Sequence, residues 1–124
     1  MNPRIRRAKP EDEYYFKEGC HILEMSNAPD DPEVSIARAR VAPGVTTRLH
    51  RLDGITERYV ILEGSGQVSL GGQAAQTVGP GDVVIIPPRC SQQIENSGTT
   101  DLLFLAICTP RFIPEAYEDM DEPV

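Results

Sequence analysis

The sequence of 124 residues lacks the features that mark membrane, secreted and nucleic-acid-binding chains. No run approaches the ~18 consecutive apolar residues of a membrane helix. Met1 to Pro10 holds no apolar stretch, so a secretory signal is not expected there. Cysteine is sparse and odd in number. Cys20, Cys90 and Cys108 stand far apart without a C-x-x-C pair, which argues against a zinc ribbon and a thioredoxin-type site. Such a set suits reduced thiols in the cytoplasm. Positive charge is in the minority, 12 Lys and Arg against 19 Asp and Glu. The net charge of −7 therefore disfavours nucleic acid and anionic membranes as partners.

Glycine and proline are abundant instead. They make up 21 of 124 residues, where about 12 in a hundred is usual. Both interrupt helices. With 40% apolar and 25% charged residues the chain is otherwise ordinary for a globular protein. Its length suits one domain with its own core. The expectation is a turn-rich, all-β domain.

Short β-prone runs fall at residues 20–25, 34–41, 46–52, 58–62, 67–70, 73–78, 82–86, 92–96 and 101–108. Turn signals separate them at roughly 8–12-residue spacing, the pattern of a sandwich or barrel. Gly71-Gly72 predicts a two-residue hairpin turn, because both positions tolerate positive φ. Pro87-Pro88 stops the strand before it. Only residues 10–17 carry a helical reading. Five of the seven aromatics (Tyr14, Tyr15, Phe16, Phe112, Tyr117) lie near the ends, in arms expected to cover a sheet face or a partner subunit. A basic head (Arg4, Arg6, Arg7, Lys9) and an acidic tail (Glu115, Glu118, Asp119, Asp121, Glu122) read as solvated ends or as a head-to-tail contact.

Gly44, His50, Glu57 and Gly64 stand in the register of Gly, five residues, His-x-His, three or four residues, Glu, six residues, Gly. Gly81, Pro87 and Asn96 stand in that of Gly, five residues, Pro-x-Gly, two residues, His, three residues, Asn. These are the two signatures of the cupin superfamily, and residues 34–108 resemble it throughout. The resemblance implies a cupin-like double-stranded β-helix, or jelly-roll, barrel. Relatives of the metal-dependent kind hold iron, manganese, nickel or zinc through the signature histidines and Glu. Those four places are His50, Leu52, Glu57 and Gln92 here, so two histidines are replaced. Leu52 cannot ligate, and the Gln92 amide oxygen is a weak neutral ligand. Arg89 stands at the usual glycine of the second signature.

Residues two apart on a strand share a face. His50 aligns with Arg48 and Leu52, Glu57 with Tyr59 and Ile61, and Gln92 with Ile94 and Asn96. Two readings follow. In one, His50, Glu57 and Gln92 hold a divalent metal, with Arg48 and Tyr59 binding a small polar ligand for oxygenation or isomerisation. In the other, His50 and Glu57 pair with each other in a metal-free, ligand-binding or regulatory barrel. His21 reads as a surface or packed histidine. Arg38 and Arg40 share one strand face, either solvated or at the pocket mouth, where they would favour a carboxylate or phosphate. Cys108 reads as a buried thiol, and Cys90 lacks a nearby base in sequence. The chain is expected to work in the cytoplasm on a small molecule, as a homodimer formed with help from its arms.

Overall fold

A computed structural model describes residues 1–121. The strands in chain order are β1 (Tyr14–Phe16), β2 (Cys20–Ser26), β3 (Ser35–Val41), β4 (His50–Leu52), β5 (Thr56–Glu63) and β6 (Gly66–Leu70). Then come β7 (Gln76–Val78), β8 (Val83–Ile86), β9 (Gln92–Glu95), β10 (Leu102–Thr109) and β11 (Tyr117–Asp119). They form two antiparallel sheets, ordered β1-β2-β3-β10-β5-β8 and β11-β4-β9-β6-β7. Ile61, Val84, Ile86 and Phe104 of the first sheet join Val68 and Ile94 of the second in one buried cluster. The sheets thus close face to face as the expected jelly-roll barrel.

The two-residue period explains which side chains enter it. On β5, Glu57, Tyr59 and Ile61 are buried, whereas Arg58 and Val60 point outward. Strand β8 is apolar throughout, so Val84 and Ile86 enter the core while Val83 and Ile85 remain exposed. A buried aliphatic side chain contributes about 2 kcal/mol, while an exposed ion pair contributes about 0–1 kcal/mol. The core therefore outweighs the rim of salt bridges.

The turns follow their residues. Gly71 and Gly72 take φ of +56° and +76°, and Gln73 N donates to the Leu70 carbonyl, so the expected tight turn forms; β7 begins only at Gln76, making the connection five residues rather than two. Gly64 has φ +81°, and a Cβ there would lie 2.6 Å from the Asp101 carbonyl oxygen. Asn96 is fully buried. Its amide nitrogen donates to the carbonyls of Val41 and Thr100, and its oxygen accepts from Gly98 N.

The ends depart from the sequence reading. Residues 10–17 are not a helix: a single 3-10 turn (Pro10–Asp12) precedes β1. Strand β1 pairs with β2 through Tyr14↔Ile22 and Phe16↔Cys20, so cross-strand bonds override the local pattern. Within 46–52 only His50–Leu52 forms a ladder, and Thr46 makes an isolated bridge to Glu95. The tail adds β11, which pairs with β4. Among the described residues, which do not include Glu122, head and tail make no contact: Arg4 grips Asp30, while Glu118 and Asp119 bind Arg51 and Arg48. Both aromatic arms cover their own barrel. Phe16, Phe112 and Tyr117 pack with Leu52, Ile55 and Cys108.

Candidate functional site

A cavity of about 60 Å³ opens between the arms and the barrel, room for about four waters. Ala37, Ala39, Phe104 and Ala106 form much of its apolar wall. Its polar lining includes Glu18, His50, Glu57 and Tyr59, with Cys108 and Tyr117, and also Tyr14, Glu24, Asn27 and Ser35.

His50 is 3% exposed and bonded at both ring nitrogens. Nδ1 lies 2.7 Å from the Arg48 carbonyl oxygen. A carbonyl only accepts, so Nδ1 carries a hydrogen. Nε2 lies 3.0 Å from Glu18 Oε2. One proton occupies that contact, on the ring as an imidazolium–carboxylate pair or on the carboxyl with both groups neutral. The second Glu18 oxygen accepts from the Cys20 thiol at 2.8 Å. Tyr117 stacks on the imidazole with ring centres 5.0 Å apart.

Glu57 lines the cavity from β5, in the other sheet from His50. Burial, reinforced by the Glu18 charge, pushes its carboxyl up to about 8, with Gln92 and Cys108 pulling partly back. At neutral pH it is mostly a neutral acid. Oε2 accepts from the Cys108 thiol at 3.7 Å, while Oε1 is buried without a hydrogen-bond partner. The Gln92 amide nitrogen and the Tyr117 hydroxyl are likewise unpartnered. Gln92 is close enough to influence the Glu57 carboxyl electrostatically, but its amide does not complete a well-formed bond to it. A buried polar atom without a partner costs about 1–3 kcal/mol, so these atoms call for water or a ligand.

The residues named from the sequence therefore come together only in part. His50, Glu57 and Tyr59 line the cavity. Gln92 pairs with His50 in the β4–β9 register but turns its oxygen to the Tyr59 hydroxyl, which donates to it. Leu52 packs into the aromatic cluster of the arms. Arg48 lies outside the cavity wall, with its guanidinium 2.8 Å from Asp119. Arg38 and Arg40 also face away and share the Glu13 carboxylate, at 3.2 and 2.6 Å. His21 packs edge-on against Tyr15. Burial raises the Cys20 and Cys108 thiols far above their usual range, leaving both unreactive.

This donor set does not fit a resident divalent metal as it stands. The barrel supplies one imidazole, whose Nε2 is held by Glu18, and the Gln92 oxygen serves Tyr59. Among the described residues no three His, Cys, Asp or Glu side chains are grouped to hold an ion. Glu18 and Tyr117, which complete the site, lie outside both signatures. For Glu18 the available signal was its spacing of two from Cys20 on the approach to β2. For Tyr117 it was an aromatic residue within an otherwise acidic tail.

Residues 37–108 match the family model described as a cupin domain. A protein of Methanocaldococcus jannaschii of uncharacterised function is 34% identical over 110 residues, covering 87% of this chain and 85% of the relative. An oxalate-binding protein of Thermotoga maritima is 39% identical over 71 residues, 57% of this chain and 58% of the relative. The structure of KdgF from Halomonas sp. superimposes with a TM-score of 0.77 at 15% identity, covering 90% of this chain and 96% of that one. Signature glycines at strand ends, a closed jelly roll and the matched span agree: this chain belongs to the cupin family.

Proposed function

We propose that the barrel binds a small ligand and exchanges a proton with it through Glu18, backed by His50, without a resident metal. The observation that carries this is the doubly bonded imidazole. With Nδ1–H fixed on the Arg48 carbonyl, the remaining proton of the ring moves only along the 3.0 Å line to Glu18. Glu18 lines the cavity, so a ligand that donates to it or accepts from it draws that proton one way or the other. The neutral Glu57 acid supplies a second proton to the same cavity. An acid and a base lining one cavity are what isomerisation or elimination at a small molecule requires. Tyr59, anchored by Gln92, positions the ligand. The three free cysteines accord with a cytoplasmic setting.

The test is elemental analysis of protein purified without chelator, paired with ligand screening by NMR on the same sample. Sub-stoichiometric metal, together with small molecules that shift the His50 and Tyr117 signals, is the expected result. Near-stoichiometric iron, manganese, nickel or zinc that is lost in His50→Ala would overturn it and restore the reading in which His50, Glu57 and Gln92 are ligands.

A second copy of the chain is proposed to cover the outward face of the six-stranded sheet. Val60, Leu62, Val83 and Ile85 form a patch there with Leu103 and Leu105. Val83 and Ile85 remain 54% and 62% exposed, and exposed apolar patches of this kind mark association sites.

A further inference from the structure

We propose that this cavity selects a small cation, a protonated amine on a compact apolar body, and turns carboxylates away. The inference rests on the small-ligand reading above and adds the charge of the ligand. No lysine or arginine lines the cavity. Its acidic side chains are Glu18, Glu57 and, at the rim, Glu24, while the one imidazole is already matched to Glu18. The nearby guanidinium groups are directed elsewhere: Arg38 and Arg40 to Glu13, Arg51 to Glu118 and Arg48 to Asp119. An entering carboxylate would meet the Glu18 and Glu57 carboxyls with no lysine or arginine in the wall, whereas an ammonium group would find acceptors in both.

Two buried atoms point to such an occupant. Glu57 is 9% exposed, lines the cavity and leaves Oε1 without a partner. Burial keeps that carboxyl mostly protonated, and an ammonium group at Oε1 would favour its ionised form with release of the proton to solvent, a charge that an amide at this position cannot supply. The Tyr117 hydroxyl, on a residue also 9% exposed, is the second unpartnered acceptor on the wall. Phe16, Tyr59 and Phe104 also line the wall, and an ammonium group is attracted to an aromatic face. The Tyr117 ring is already taken by its stack on His50 and by Lys17 Nζ, 4.7 Å from its centre. The apolar wall of Ala37, Ala39 and Phe104 would take the hydrocarbon body. At about 60 Å³ the space admits a body of only a few heavy atoms.

Three probes of matched shape test this on the full chain after chelator treatment: isobutylammonium, isobutanol and isobutyrate, titrated by NMR. A hydrogen bond to a charged group is worth more than a neutral one, so isobutylammonium should bind about tenfold more tightly than isobutyrate and clearly better than isobutanol. Glu57→Gln should weaken isobutylammonium by about tenfold and leave isobutanol unchanged, the latter showing that the cavity is still formed. Tyr117→Phe should weaken the cation in the same sense. Isobutyrate binding as well as the cation, isobutanol matching it, or cation affinity unaltered in Glu57→Gln would each overturn the charge assignment while leaving the small-ligand reading intact. If no probe shifts the His50 and Tyr117 signals, both fall.

Discussion

Arg89 occupies a backbone place that suits glycine. Cys90 N donates to the Pro87 carbonyl at 3.2 Å, and Arg89 sits between them with φ +64°. Pro88 at the second position and a left-handed third residue define a type II turn, whose third place favours Gly. The Arg89 ion pairs to Asp53 and Glu118 are exposed and weak compensation. Arg89→Gly should therefore stabilise the fold by about 1 kcal/mol, read from urea denaturation. Glu57 yields a pH prediction. Below its ordinary value of 4.5 both folded and unfolded chains hold the proton; between 4.5 and about 8 only the folded chain does. Stability then falls as pH rises through that window, by up to about 1.4 kcal/mol per pH unit. In Glu57→Gln this slope should vanish, and an unchanged slope in urea midpoints across the window would refute the assignment. The substitutions at the signature positions were legible in the sequence, but their consequences were not. Nothing in the spacing says that the Gln92 oxygen serves Tyr59, or that Leu52 joins an aromatic cluster with Tyr117.

At the scale of elements, the two terminal strands finish the site that the signatures begin. Strand β1 leads into Glu18, and β11 lays Tyr117 on His50. Tyr117→Ala should cost about 3 kcal/mol. It should also speed amide exchange along β4, where β11 supplies the partners from His50 to Leu52. Unaltered exchange there would mean that β11 merely rests on the barrel. The central strands were readable because glycines and prolines punctuate them and side chains alternate. The arms were not, because β1 and β11 are three-residue strands stabilised by pairing with distant partners. Their aromatic content did signal that they cover a sheet face. The face is that of their own barrel.

For the molecule as a whole, the sheets differ in what they show to solvent. The outer surface of the five-stranded sheet carries Gln67, Ser69, Gln93 and Glu95, all polar. The six-stranded sheet exposes Val83 and Ile85 at its β8 edge. Ile85→Lys places a second charge beside Arg58 on that patch and should convert a dimer to monomer in sedimentation velocity, with little loss of stability. Truncation after Phe112 should instead lower stability without a specific effect on association. The reverse pattern would return the interface to the arms.

The tyrosines give the cavity an optical property. The chain has no Trp and four Tyr. Three of them, Tyr14, Tyr59 and Tyr117, line the cavity, and the fourth, Tyr15, lies against His21. With no indole to drain the excitation, near-ultraviolet emission arises from phenols that mostly surround the binding space. Occupancy should therefore register as a change in intrinsic tyrosine fluorescence, without a label and at the wall where the ligand sits.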